Sequence, residues 1–174
     1  MRDILNTVIE GDCLEVMYEI ASESIDLVLC DLPYGTTNCK WDSPLNLPAL
    51  WAHYKRIIKP NGATLLFVQT PFDKALGASN LPWLRYEWIW EKSNATGHLN
   101  AKKMPMKAHE NVLVFYNKLP TYNPQKTQGH KPMNSVTRYL KAQNNTSIYG
   151  QLKMETSAGG ETDRYPRSVL QFPK

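Results

Sequence analysis

The chain has 174 residues, 42% hydrophobic and 21% charged, with a formal net charge of +4. Those proportions belong to a globular chain and exclude disordered, fibrous and collagen-like classes, and the length points to one domain with a sizeable core. No apolar run reaches about 18 residues, so no membrane-spanning helix is expected, and Cys13, Cys30 and Cys39 have neither the number nor the spacing of a disulfide framework or a zinc site.

From the N-terminus, Met1-Arg2-Asp3 is followed by no long apolar stretch, and a soluble, cytoplasmic protein is expected. Between Asp12 and Ala21 the apolar residues Leu14, Met17, Tyr18 and Ala21 fall at helical spacing. Ile25 to Cys30 is a short, apolar, β-prone run, which predicts a buried central strand of the kind used in parallel sheets. Asp31-Leu32-Pro33-Tyr34-Gly35 ends it in a loop. Leu47 to Ile58 reads as a second helix with Leu50, Trp51, Tyr54, Ile57 and Ile58 on one face, and Pro60-Asn61-Gly62 supplies stop residues after it. A strand over Ala63–Val68, a short helix over Pro71–Ala78, and strands over Leu84–Trp90 and Asn111–Tyr116 follow. This alternation predicts an α/β sheet with right-handed crossovers.

After Lys118 the sequence turns polar, with Pro, Asn, Gln, Thr and scattered Lys and Arg. Loops are expected there, with one short helix near Val136–Ala142. The organisation is therefore an α/β portion over 1–118 and an irregular segment over 119–174. Charge is divided unevenly. Residues 1–99 carry 8 Lys/Arg against 12 Asp/Glu, and residues 100–174 carry 12 against 4. A basic C-terminal portion suits a polyanionic partner, although a Lys-rich soluble surface has the same composition.

The sharpest feature is Asp31-Leu32-Pro33-Tyr34 at the carboxyl end of an apolar strand, the end at which open α/β sheets bind ligands. An exocyclic amine on a nucleobase is a poor nucleophile because its lone pair is delocalised into the ring. A carboxylate accepting from one N–H and a backbone carbonyl accepting from the other draw the nitrogen toward a tetrahedral geometry. Asp31 supplies the first acceptor and Leu32 the second. Pro33 stiffens the turn, and Tyr34 offers a face for base stacking, worth about 1–3 kcal/mol. On their own the same four residues also make an ordinary turn.

Their context decides. The chain resembles the DNA N6-adenine and N4-cytosine amino-methyltransferases, in particular the permuted class whose catalytic motif precedes the cofactor motif. The family's Asp-Pro-Pro-Tyr stands here as Asp31-Leu32-Pro33-Tyr34, with Leu at a position that contributes mainly a carbonyl. Gly11-Asp12-Cys13-Leu14-Glu15, Ser24-Ile25-Asp26-Leu27, Lys59-Pro60-Asn61-Gly62-Ala63 and Trp88-Ile89-Trp90-Glu91-Lys92 resemble further segments of the same enzymes. So do Leu99 to Pro105 and His109-Glu110-Asn111-Val112-Leu113-Val114-Phe115, in the same order. The resemblance implies a partial Rossmann-like, S-adenosylmethionine-dependent methyltransferase sheet with an irregular basic recognition segment. It implies methyl transfer from S-adenosylmethionine to the N6 amine of adenine in double-stranded DNA. An acidic first motif residue is typical of the adenine enzymes, whereas the cytosine-N4 enzymes more often carry Ser there.

Carried over residue by residue, Asp31, Leu32, Pro33 and Tyr34 are the catalytic set. Asp12 and Asp31 face the methyl donor, Asp12 having an equally ordinary role as a helix N-cap. The resemblance implies base flipping, which costs a few kcal/mol of unstacking. Lys92, Lys102, Lys103, Lys107, His109, Lys126, Lys131 and Arg138 are expected on the DNA side, with Lys141, Lys153, Arg164 and Arg167 as further phosphate contacts. Lys92 reads equally as a strand-end charge, and a lone His109 as a structural residue. Trp41 and Asp42 are placed to close the pocket, Trp41 reading equally as core, and Trp83, Trp88 and Trp90 read as packing residues. Pro120 to Thr162 lies where the class has its target-recognition region, whose Asn, Gln and Arg read base edges.

The family's glycine-rich cofactor turn has no counterpart here, because Ala158-Gly159-Gly160-Glu161 follows no apolar strand. This implies a truncated, split or partial chain with exposed sheet edges or an uncovered apolar face. The expected partners besides DNA are a second copy or a complementing chain that carries the missing motif. The alternatives are an N4-cytosine DNA methyltransferase and a non-catalytic DNA-binding fragment of such an enzyme. An RNA or protein-amide methyltransferase is a further alternative, although those enzymes usually keep the cofactor glycines ahead of the loop.

Overall fold

The computed structural model describes residues 4–35, 37, 39, 40, 42, 43, 45–134 and 159–172. They fall into two compact units, residues 1–122 with 167–174, and residues 123–166.

The first unit opens with α1 (Cys13–Val16), which runs into a 3-10 turn at Met17–Glu19. β1 (Ile25–Asp31), α2 (Leu47–Ile57) and β2 (Ile58–Val68) form a parallel strand-helix-strand unit. Then come α3 (Phe72–Ser79), β3 (Leu84–Thr96), β4 (Lys107–Phe115) and β5 (Val169–Gln171). The five strands make one mixed sheet in the order β1-β2-β4-β3-β5. β4 runs antiparallel to both of its neighbours, and β5 runs parallel to β3.

α2 forms where the sequence predicts it, for visible reasons. Asn46 caps it, accepting from the Ala49 N–H at 3.1 Å, and a proline stands in its first turn. Leu50, Trp51, Tyr54 and Ile57 are buried on one face. They pack with Leu76 of α3, Leu66 and Val68 of β2, and Leu113 and Phe115 of β4 into a single core. Arg56 near its end donates to the Ile20 and Met17 carbonyls at 2.7 and 2.5 Å, tying the helix to the turn after α1.

Three expectations change. The helix over Asp12–Ala21 is two short pieces. Pro60-Asn61-Gly62 lies inside β2, which begins at once after α2. A Cβ on Gly62 would stand 2.9 Å from the Asp26 carbonyl and 3.1 Å from that of Ile25. The glycine therefore serves the close approach of β1 and β2, beside the register shift between Ile25 and Leu27. Finally, β1 is an edge strand and not a central one. Its parallel pairing to β2 is as expected, but Leu27 and Leu29 are 52% and 61% exposed. An apolar pattern reports what a strand can bury, not what stands beside it.

Strand alternation separates the two faces of the sheet. The core face, under α2 and α3, carries Leu66, Val68, Leu113 and Phe115. On the other face Leu29, Leu65, Phe67, Trp88, Trp90 and Val112 line a groove of about 470 Å³, with Leu170 and Phe172 along it.

In the second unit the described residues form an antiparallel pairing. Thr127 and Arg164 exchange backbone hydrogen bonds of 3.0 and 2.9 Å, and the His130 and Met133 N–H groups donate to Thr162 and Glu161. The helix predicted near Val136–Ala142 lies outside the described residues. Among the described residues no helix is long and apolar enough to cross a membrane.

Candidate active site

β1 delivers Asp31 as its last residue, at its carboxyl end. The apolar run must stop there, because Pro33 has no N–H to extend the ladder and Gly35 takes a left-handed φ of 68°. Within the loop, Leu32 turns inward and is 5% exposed, which anchors the turn, while Asp31 is exposed. The Tyr34 hydroxyl donates to Asp31 Oδ1 at 2.5 Å. Burial first, and then the adjacent Asp31 carboxylate, push the Tyr34 phenol far above its usual range near 10. Its ring lies 5.6 Å from that of Phe72 at the start of α3.

Behind the loop Asp42 is buried, and its two oxygens accept from the backbone N–H groups of Gly35 and Thr37 at 2.8 and 2.6 Å. Its own N–H donates to the Cys39 carbonyl at 3.0 Å. Trp41, expected with Asp42 around the pocket, lies outside the described residues.

A polar network stands near the same loop. Glu110 of β4 forms an ion pair with Lys92 of β3, both side chains mostly buried. Gln69, just past β2, donates to Glu110 at 2.7 Å and accepts from Lys107 at 3.0 Å. Glu110 contributes to the raised Tyr34 phenol, which places its charge within reach of the loop. Lys92 and Lys107 are thus held by protein groups, and Lys92 also lies 6.0 Å from the Trp90 ring. Sequence reasoning missed Glu110, Gln69 and Phe72. The ion pair depends on the β3–β4 register, in which Trp90 faces Glu110, and no local pattern encodes that.

Asp12 caps α1, accepting from the Leu14 N–H at 2.8 Å. Burial raises the thiol pKa of the next residue, Cys13, and that of Cys30. Leu14 of α1 and Cys30 of β1 both pack against the core. Lys102, Lys103 and His109 are exposed. In the second unit Lys126 pairs with Asp163 at 2.7 Å and lies over the Tyr165 ring at 4.5 Å. Lys131 is exposed, and its carbonyl accepts from Arg164. Arg138, Lys141 and Lys153 lie outside the described residues. Trp88 and Trp90 face the open groove rather than the core, whereas Trp83 packs against the core.

No family model matches the chain. It is similar to the type II methyltransferase M.HinfI of Haemophilus influenzae, 27% identical over an alignment of 139 residues that covers 65% of this chain and 38% of that protein. Among solved structures it is similar to the PvuII DNA methyltransferase (cytosine-N4-specific), with a TM-score of 0.53 at 14% identity over 93% of this chain and 55% of that one. It is also similar to M1.HpyAVI, solved as a complex with SAM, with a TM-score of 0.47 at 19% identity over 68% and 54% of the two chains. The chain spans well under two thirds of each of these proteins. The likeness to the PvuII enzyme shows the fold, a Rossmann-like mixed α/β sheet.

Proposed function

We propose that this chain, related to the DNA methyltransferases by sequence and built on their sheet, is the catalytic-loop portion of an enzyme that methylates the N6 amine of an extruded adenine in double-stranded DNA. The observation that carries this reading is the Asp31 carboxylate. It stands exposed at the carboxyl end of β1 and accepts a short hydrogen bond from Tyr34. An acceptor that holds a phenol in that position holds an amine N–H equally well. The Leu32 carbonyl takes the second N–H, and the Tyr34 ring, backed by Phe72, takes the base face. Asp31 in place of Ser supports adenine over cytosine.

S-adenosylmethionine is the proposed donor, supplying an electrophilic methyl group when bound. The test of fit is mixed. Asp12, at the start of α1, offers it a carboxylate that also accepts from the Leu14 N–H. A glycine turn of close approach is not found among the described residues. Gly97, Gly129 and Gly160 face open space, and Gly62 is packed against β1. No step is therefore assigned to the donor. Among the described residues, the edge position of β1 and the partly exposed apolar groove beside it support completion of the donor site by a complementing polypeptide bearing that turn. The proposed setting is the cytoplasm, and the basic segment from residue 100 onward faces the phosphates. We assign the segment from Pro120 to Thr162 to target recognition.

The test is labelled methyl transfer from S-adenosylmethionine to DNA, RNA and protein in parallel, with nucleoside analysis. N6-methyladenine is expected, and Asp31→Ala is expected to lower the rate by at least about a hundredfold. Undiminished activity of Asp31→Ala would remove Asp31 from the mechanism. Calorimetric heat on adding S-adenosylmethionine separates the enzyme from a DNA-binding fragment, which gives none.

A further inference from the structure

We infer that Asp42 is a positioning residue that sets the geometry of the Asp31–Tyr34 loop. This rests on the methyltransferase reading above, but the geometry is independent of it. Asp42 sits eleven residues after Asp31 and belongs to no helix or strand, yet it is only 7% exposed. A carboxylate is driven from water only where donors replace the water. Among the described residues those donors include the Gly35 N–H on Oδ1 at 2.8 Å and the Thr37 N–H on Oδ2 at 2.6 Å. Both belong to the backbone just past Tyr34, and the Asp42 N–H itself donates to the Cys39 carbonyl at 3.0 Å.

The peptide between Tyr34 and Gly35 is thereby fixed at its nitrogen. That peptide sets where the Tyr34 side chain leaves the backbone. Gly35 in its left-handed conformation cannot relax without breaking the bond to Asp42. Tyr34 is then held on three sides: by Asp42 through its own peptide, by Asp31 through the hydroxyl, and by the Phe72 ring. Asp42 touches neither base nor donor in this scheme. It acts by holding a loop whose misplacement by about 1 Å is enough to cost a hundredfold in rate.

Asp42→Asn tests this with little change of volume. The amide keeps one acceptor oxygen but turns an NH₂ toward one of the two N–H groups. With unmethylated plasmid DNA, kcat is expected to fall by about ten- to a hundredfold while KM for S-adenosylmethionine moves by less than about threefold. Asp42→Glu, which keeps both acceptors, is expected to recover part of the loss. Hydrogen exchange at the Gly35 and Thr37 amides is expected to quicken by at least about tenfold in Asp42→Asn, with β2 and α2 unchanged. Unchanged exchange overturns the inference, and so does an unchanged kcat beside quickened exchange. Should Asp42→Asn fail to fold, Asp42→Glu decides: slower turnover with quicker loop exchange supports the inference, and wild-type turnover overturns it. Absence of methyl transfer even with the complementing polypeptide added sinks the methyltransferase reading alone. The exchange of the two amides then decides the role of Asp42 by itself.

Discussion

Lys92 and Glu110 sit on neighbouring strands with 19% and 13% of their side chains exposed. Lys59 and Asp26 also form an ion pair, at 2.8 Å, but Asp26 is 80% exposed. Screening by water makes the second pair nearly worthless for stability, whereas removing one member of the first leaves a half-buried charge with its partner gone. Glu110→Gln is therefore expected to cost about 1–3 kcal/mol in urea unfolding, and Asp26→Asn less than about 0.5 kcal/mol. Equal costs would show that burial does not govern these pairs. The same contrast bears on Lys92, which sequence placed beside DNA. Its ammonium is already answered by Glu110, so we read it as a structural cation of the sheet.

The elements were legible in proportion to how locally their causes lie. α2 follows from a cap, a proline and an apolar stripe, all contained in a dozen residues. The β1 loop follows from an apolar run broken by Pro33 and Gly35. β3 and β4 extend beyond their predicted apolar stretches because their outer residues pair through backbone groups that side-chain chemistry does not report. β5 was unreadable as a strand, since three residues gain their form only by lying against Ile89, Trp90 and Glu91. The edge position of β1 was equally hidden. The two faces of the sheet should respond differently to truncation. Leu66→Ala on the packed face is expected to cost about 2–5 kcal/mol, and Leu29→Ala on the bare face less than about 1 kcal/mol. Chemical denaturation of the chain by itself checks both, and a large loss from Leu29→Ala would mean that its face is already covered.

At the scale of the molecule, the acidic first part and the basic remainder give an electrostatic footprint, but its cations are not equivalent. Lys126 is engaged with Asp163, while Lys102 and Lys103 are exposed at a turn. Replacing either of the latter by Gln is expected to weaken DNA binding evenly across sequences and to lower the slope of log K against log salt by about 0.9. Lys126→Gln is expected to change it less. Fluorescence anisotropy over a range of ionic strength reads both, and an unaltered slope in Lys102→Gln and Lys103→Gln would move the phosphate path elsewhere.

The bare side of the sheet bears on how any melting curve of this chain is to be read. Whatever seats itself along β1 and over Leu29, Phe67 and Trp88 binds the folded form alone, so by mass action it adds RT ln(1 + [L]/Kd) to the unfolding free energy. At a hundredfold excess over Kd that is about 2.7 kcal/mol, a gain as large as many core contacts provide. The midpoint of the isolated chain is thus a floor, and a titration in which it climbs with an added polypeptide would measure the affinity of that polypeptide for the folded chain.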